Sequence, residues 1–199
     1  MKPTNNGFTL TELMVTVAII GIGTAFSSIG FIRNARQGEV DRYTQTVETG
    51  LFSLRSKLGT TKSSCELNFQ TANQFQSPSD VIEFKQPTGE LANLDRISCC
   101  NSREGCINGP SYRLVNREGT QESKVVEVAT TESSFVLTPP GTSSQTNNLN
   151  ILIRSKYWDS NSAMNSHGIS RLRTRCIEVS GSGSISRGTW DEERKTCLI

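Results

Sequence analysis

Histidine and cysteine are the residue types through which this sequence could bind a metal ion or catalyse a reaction. The chain has one histidine, His167, in a polar stretch typical of a solvated loop, residues 161–168. A single histidine excludes sites with several histidine ligands and leaves any Ser-His-Asp or Cys-His system dependent on His167 alone. The sequence contains no phosphate-binding loop, dinucleotide-binding fingerprint or HExxH motif. We therefore predict no enzymatic activity: no catalytic residue, no metal and no cofactor.

The six cysteines in 199 residues are many for a cytosolic protein and typical of an exported one. They could bind zinc, act as a redox dithiol or form disulfides. The segment CCNSREGC lacks the paired spacing of a zinc knuckle, and the chain has no C-x-x-C motif. We therefore predict disulfides, although spacing alone does not choose the pairs. The candidates are Cys65, Cys99, Cys100, Cys106, Cys176 and Cys197.

Arginines recur near the C-terminus with the period of a strand. Arg171, Arg173 and Arg175 alternate, so in a strand their side chains point to one face, and Arg187 follows one hairpin later. Such a row could contact the phosphates of DNA. The net charge of the whole chain is only +2, so the competing interpretation is the solvent face of an amphipathic strand.

Glu12 is the only charged residue between Phe8 and Ile32. As a helix this apolar segment would be about 37 Å long, enough to cross the ~30 Å core of a bilayer. A carboxylate in such a core costs about 2.5–3.5 kcal/mol. A cleaved secretory signal or a plain membrane anchor leaves this cost unexplained, unless Glu12 reaches the headgroups. We therefore expect the carboxylate of Glu12 to pair with a group of another residue or subunit.

The stretch GFTLTELMVTVAIIGI, residues 7–22, resembles the class III signal peptides of type IV pilins and type II secretion pseudopilins. The resemblance implies that a prepilin peptidase cleaves between Gly7 and Phe8 and methylates the new amino group of Phe8. Residues 1–7 would be the leader peptide, and residues 8–32 a retained transmembrane and polymerisation helix. Glu12 would pair with the amino group of Phe8 on a neighbouring subunit, which would place both charges in an ion pair.

Apolar residues continue at helical spacing beyond this segment. We predict one helix from Thr9 to Leu58, with residues 33–59 as its amphipathic part and Gly59 as the residue that ends it. The apolar stripe of this part needs a sheet to pack against. It consists of Val40, Tyr43, Val47, Leu51, Leu54 and Leu58.

Residues 60–199 are predicted to form a β-rich, mainly antiparallel head, which makes the fold class α+β. Turn residues separate short runs of branched and aromatic residues. The predicted strands are Glu66–Phe69, Val81–Lys85, Ser111–Asn116, Lys124–Ala129, Phe135–Thr138, Ile151–Trp158, Leu172–Val179 and Ser184–Thr189. The order of a long helix, a β-rich head and a late glycine hairpin resembles the GspH/FimT-like pseudopilin domain.

The pilin resemblance favours a Cys176–Cys197 disulfide that closes the C-terminal segment. A second hypothesis pairs Cys106 with one member of Cys99 and Cys100, and Cys65 with the other. The implied function is that of a minor pilin subunit, in the bacterial inner membrane with a periplasmic head and then in a pilus that serves assembly, motility or DNA uptake. The implied partners are the prepilin peptidase, other pilin subunits and the inner membrane. The alternatives are a type II secretion pseudopilin and a pilus-tip subunit that binds DNA or a surface ligand.

Overall fold

The computed structural model describes most of the chain as two compact units, Met1–Arg36 and Gln37–Ile199. It describes residues 9–69, 72–83, 97–101, 105–108, 114–115, 120–143, 145–158 and 172–199, without the side chains of residues 24–30, 97–98, 100–101 and 105–108.

Helix α1 comprises Leu10–Thr61, so the predicted long helix is confirmed. The prediction that Gly59 ends it is wrong, because the last turn continues through Thr61. The hydroxyl groups of Thr60 and Thr61 each donate a hydrogen bond of 2.8 Å to the carbonyl of Lys57, which satisfies an acceptor at the helix end. The left-handed residue that terminates the helix is Lys62, with φ of 54°.

The apolar stripe of α1 is buried in the head, as predicted. None of its six side chains is more than 2% exposed, and they belong to one hydrophobic core. Burial of a side chain of this size stabilises a fold by about 1.5–3 kcal/mol. The stripe therefore holds the second half of α1 on the head.

In the described part of the head, the strands form two antiparallel sheets; one short helix follows the first strand and another precedes the fourth. The first sheet has the order β3-β2-β1-β5 and the second has the order β4-β6-β7-β8-β9. The elements are β1 Ser64–Asn68, α2 Pro78–Val81, β2 Ile97–Asn101, β3 Gly105–Asn108, α3 Gln121–Val125, β4 Val126–Thr130, β5 Ser134–Leu137, β6 Leu149–Ser155, β7 Arg175–Val179, β8 Ile185–Asp191 and β9 Thr196–Leu198.

Both sheets contribute to the core that covers α1. Leu67 and Phe135 come from the first sheet, and Ile151 and Ile177 from the second, and all four are buried in the same cluster as the helix stripe. Alternation along β7 places Arg175, Ile177 and Val179 on the face that carries the core. The predicted α+β class, with a helix packed on a β-rich antiparallel head, is confirmed.

Two predicted strands are not found as strands at the residues that the structure describes. Val81–Lys85 is wrong at its described residues: Pro78, whose fixed φ suits the first turn of a helix, starts the helical turn α2, which ends at Val81, and residues 82–83 belong to no strand. Residues 84–85 lie outside the described part. Of the predicted strand Ser111–Asn116, only residues 114–115 are described, and they belong to no strand.

The other predicted strands are found with shifted ends. The first two residues of the run Lys124–Ala129 belong to α3, which the Thr120 hydroxyl caps by accepting a hydrogen bond from Ser123 N–H. Residues 172–174 precede β7 without joining it. Strands β2 and β3 were not predicted, because their cysteine- and asparagine-containing segments lack a branched or aromatic run.

Candidate functional site

The first half of α1 carries exposed apolar side chains among its described residues. Its large apolar side chains are between 52% and 75% exposed. A contiguous exposed apolar surface of this kind indicates contact with other proteins or with lipid. The side chains are Leu10, Leu13, Met14, Val15, Val17, Ile19, Ile20, Ile22, Phe31 and Ile32.

Glu12 lies in the first turn of this helix and forms a capping box with Thr9. The Thr9 hydroxyl accepts a hydrogen bond of 3.3 Å from the backbone N–H of Glu12. In return, Glu12 Oε2 accepts hydrogen bonds from Thr9 N–H, at 2.9 Å, and from the Thr9 hydroxyl, at 2.7 Å. Within the single chain, the carboxylate of Glu12 is therefore bound to the N-terminus of its own helix.

Thr9 is a residue of this candidate site that was not predicted from the sequence. The signal was present, because threonine followed three residues later by glutamate, directly before an apolar run, is the sequence pattern of a capping box. The capping box fixes the point at which the helix begins. It also holds the carboxylate on the exposed surface at that end of the helix.

The predicted cleavage residues Gly7 and Phe8 lie outside the described residues. So do the side chains of residues 24–30, which form part of the predicted membrane segment 8–32. Among the residues whose structure is described, no helix has an apolar stretch of the length that crossing a membrane requires.

Two residues of the predicted arginine row form ion pairs with α1. Arg175 Nε donates to Asp41 Oδ1 at 2.6 Å, and its Nη2 donates to Asp41 Oδ2 at 3.2 Å. Arg187 Nη1 lies 3.5 Å from Glu48 Oε2. Both carboxylates belong to the helix, so these arginines connect the second sheet to α1.

Partial burial opposes the ionisation of Asp41, but the surrounding donors and charges outweigh it. The hydrogen bonds from Arg175 and Gln37, with the positive charges of Arg175 and Arg187, lower the pKa of Asp41 below its usual range. Asp41 is therefore ionised at neutral pH, and it neutralises part of the row's positive charge.

The remaining members of the row differ from these two. Arg173 has an exposed side chain, and its backbone N–H donates to Gln37 Oε1 at 2.9 Å. Arg171 lies outside the described residues. The structure therefore brings Arg173, Arg175 and Arg187 toward α1, instead of presenting them as one open basic surface.

Among the described residues of the head, two disulfides are present. Cys65 on β1 is bonded to Cys99 on β2, with a Cα–Cα distance of 4.0 Å. Cys176 on β7 is bonded to Cys197 on β9, with a Cα–Cα distance of 5.8 Å. Both pairings are among those that the sequence analysis considered. In the part of the chain that is described, no group of three or more potential ligands could hold a metal ion.

Comparison with known proteins adds information on the N-terminus. Residues 2–28 match the family described as the prokaryotic N-terminal methylation motif. Neither the curated proteins nor the solved structures that were compared with the chain gave a match. The matched segment contains Gly7, Phe8, the Thr9–Glu12 capping box and most of the exposed apolar surface. The chain therefore carries a class III prepilin signal, which is the N-terminal signal of type IV pilin-like proteins.

Proposed function

We propose that the protein is a structural minor subunit of a type IV pilus or a related filament. A prepilin peptidase cleaves it between Gly7 and Phe8, and the first half of α1 then packs among the helices of other subunits. The observation that carries this proposal is the exposed apolar helix behind a methylation motif. The proposed insertion of residues 8–32 into the inner membrane before assembly rests on the motif and the apolar sequence.

The capping box supports this assignment because it survives the proposed cleavage. Thr9 and Glu12 both lie after Gly7, and all three hydrogen bonds between them use atoms that remain in the mature chain. The new amino group of Phe8 would stand directly before Thr9. Glu12 is thus placed at the end of the apolar surface, where it can exchange its intramolecular donors for an amino group of a neighbouring subunit.

The processing step is tested by the mass and the N-terminal sequence of the protein from membranes of its native host. We expect a chain that begins at Phe8 with one added methyl group and retains all of α1. The substitution Gly7→Leu should block cleavage because a bulky side chain replaces the glycine at the cut, whereas Asn6→Leu should leave cleavage intact. A mature chain that begins after Ala25, or one that keeps Met1, would contradict the proposal.

The minor-pilin role is distinguished from that of a type II secretion pseudopilin by location. We expect the processed protein in filaments sheared from the cell surface, in small amounts relative to the major subunit. Recovery only in the cell envelope, together with secretion components and a secretion defect on deletion, would instead identify a pseudopilin. In both cases Phe8 would be the first residue, so this test is independent of the processing test.

DNA capture through Arg171, Arg173, Arg175 and Arg187 is the alternative of another class. Its support is reduced because Arg175 and Arg187 are paired with Asp41 and Glu48. The direct test is salt-dependent binding of duplex DNA by the full chain and by an Arg173→Gln variant, since Arg173 is exposed and its removal breaks no ion pair seen in the described part. Tight binding by the full chain that this substitution weakens would favour the alternative.

A further inference from the structure

Cys100 and Cys106 occupy directly opposed positions in the β2–β3 hairpin. In this antiparallel ladder Cys99 lies opposite Ile107, and Cys100 lies opposite Cys106. On the other side of β2, Cys99 lies opposite Cys65. The two neighbouring cysteines of β2 thus each face a cysteine, one on β1 and one on β3.

The Cys65–Cys99 bond determines which kind of pair Cys100 and Cys106 form. Opposed residues in an antiparallel ladder alternate between hydrogen-bonded pairs, with Cα atoms about 5.5 Å apart, and non-hydrogen-bonded pairs, about 4.5 Å apart. The Cα–Cα distance of 4.0 Å marks Cys65 and Cys99 as a non-hydrogen-bonded pair. The N–H and C=O of Cys99 therefore point toward β3, where Cys99 and Ile107 form the hydrogen-bonded pair.

The next pair along the same ladder is Cys100 and Cys106, which by this alternation is non-hydrogen-bonded. Such a pair brings the two Cα atoms to about 4.5 Å, within the range of roughly 4.4–6.8 Å that disulfides span. The expected distance follows from the backbone positions and the register of the two strands alone. The hairpin is therefore preorganised for a bond between the two sulfur atoms.

We propose that Cys100 and Cys106 form a third disulfide, so that β2 is covalently joined to both of its neighbours. The bond forms when the two thiols lose two protons and two electrons to the disulfide of a dithiol–disulfide oxidoreductase, which is reduced to its dithiol. This is the class of oxidant that also accounts for Cys65–Cys99 and Cys176–Cys197 in an exported protein.

The register also excludes the exchanged pairing, Cys65 with Cys100 and Cys99 with Cys106. Neither of these pairs is directly opposed, because each is offset by one residue along its ladder. An offset of one residue moves a side chain to the other face of a sheet. Strand register thus assigns each member of the vicinal pair Cys99–Cys100 to a different neighbour.

The pairing is tested in the full chain purified from its native host, with free thiols alkylated before digestion with trypsin. Cleavage after Lys62, Lys85, Arg96, Arg103 and Arg113 places Cys65, the vicinal pair and Cys106 on three separate peptides. In the wild-type protein we expect no alkylated cysteine and a single species in which all three peptides are linked. Alkylation of Cys100 and Cys106 in the wild-type protein would overturn the proposal.

Two reciprocal variants identify the partner of each cysteine. In Cys100→Ser, the label should appear on the peptide with Cys106, while in Cys99→Ser it should appear on the peptide with Cys65. The opposite assignment in the two variants would overturn the proposed pairing. A variant that does not fold is recognised because further cysteines, including those of the Cys176–Cys197 pair, become labelled, and the wild-type linkage then decides.

Discussion

Tyr43 and Glu83 form a buried polar pair between α1 and the segment that follows α2. Each residue is 2% exposed, and the Tyr43 hydroxyl donates a hydrogen bond of 2.8 Å to Glu83 Oε1. Burial, together with the charge and the hydrogen bond of Glu83, raises the pKa of Tyr43 well above its usual range. The hydroxyl therefore stays protonated and remains a donor to the carboxylate.

Replacement of Tyr43 by phenylalanine removes this donor and leaves the aromatic ring in place. We expect a loss of about 1.5–3 kcal/mol in the free energy of unfolding, because the hydrogen bond involves a charged group in a buried site. Urea denaturation of the two proteins measures this difference. The control is Tyr157→Phe at a side chain that is 56% exposed, where we expect a change within about 0.5 kcal/mol. Equal effects at both sites would contradict the argument.

The lowered pKa of Asp41 predicts how acid affects stability. Since the pKa of Asp41 is lower in the folded protein than its usual value of about 3.9, its ion pair with Arg175 stabilises the fold above that value. This contribution is lost as the pH falls through the folded pKa. We expect the wild-type protein to be more stable than Asp41→Asn at pH 5–7 and the difference to shrink below about pH 4.

Denaturation midpoints of both proteins across this range test the prediction. Asp80→Asn serves as the control, since it removes one negative charge from an exposed residue of α2. An advantage of the wild-type protein over Asp41→Asn that stays constant to pH 2 would contradict it.

The arginine row shows how far single residues could be interpreted from the sequence. A period of two places Arg173 and Arg175 on one face only where both lie in a strand, and β7 begins at Arg175. Arg175 on β7 and Arg187 on β8 both form ion pairs with α1. The period carries no information on whether that face meets solvent or another element. The ion partners Asp41 and Glu48 are more than a hundred residues earlier in the chain, so only the folded structure reveals them.

At the scale of elements, α1 passes close to the backbone of Leu114. A Cβ atom at Gly50 would overlap the carbonyl group of Leu114, whereas one at Gly59 on the same helix would meet open space. Gly50 is also buried. The absence of a side chain at Gly50 thus allows α1 and the Leu114 segment to lie against each other.

Alanine substitutions at these two glycines should have opposite effects. Gly50→Ala should destabilise the head by about 1–3 kcal/mol, because the added methyl group overpacks the contact with Leu114. Gly59→Ala should stabilise it by up to about 1 kcal/mol, because alanine has the higher helix propensity. Thermal or urea unfolding of both variants measures the effects, and a shift of the same sign in both would contradict this account.

The sequence predicted α1 almost completely, because its apolar residues follow a single period over about five turns of the amphipathic half. It predicted β5 and most of β6, β7 and β8 for similar reasons, since these strands contain branched or aromatic residues. It did not predict β2 and β3, because Ile97–Asn101 and Gly105–Asn108 each contain a single branched residue among polar residues, glycine and cysteine. Strand β2 is positioned by pairing with β1 and by the Cys65–Cys99 bond, which are long-range constraints, and β3 is positioned by pairing with β2.

At the scale of the whole molecule, the residues proposed to act in assembly and the residues that pack in the core of the head lie in different parts of α1. The apolar surface and Glu12 lie in the unit Met1–Arg36, and the buried stripe lies in the unit Gln37–Ile199. A substitution in the first unit should therefore affect assembly without affecting the stability of the head.

Glu12→Ala tests this separation. We expect incorporation into sheared filaments to fall at least tenfold, because the amino group of a neighbouring Phe8 would lose its ion partner, while the unfolding midpoint of the head stays unchanged. The control is Thr11→Ala, which removes an exposed hydroxyl from the neighbouring residue. Normal incorporation of Glu12→Ala would contradict the proposed role of the carboxylate.

The positions of the disulfides determine how the head would carry mechanical load in the proposed filament. Each of the two observed disulfides joins two strands of the same sheet: Cys65–Cys99 lies in the first sheet and Cys176–Cys197 in the second. The second half of α1, in contrast, is held to the sheets by apolar packing and ion pairs. Tension that enters through the N-terminal end of α1 would therefore load these non-covalent contacts first. If the helix peeled away, the load would next reach Cys65, shortly after Thr61, where Cys65–Cys99 shares it between β1 and β2. Of the links described here, the helix contacts would thus break before a covalent bond carries the load.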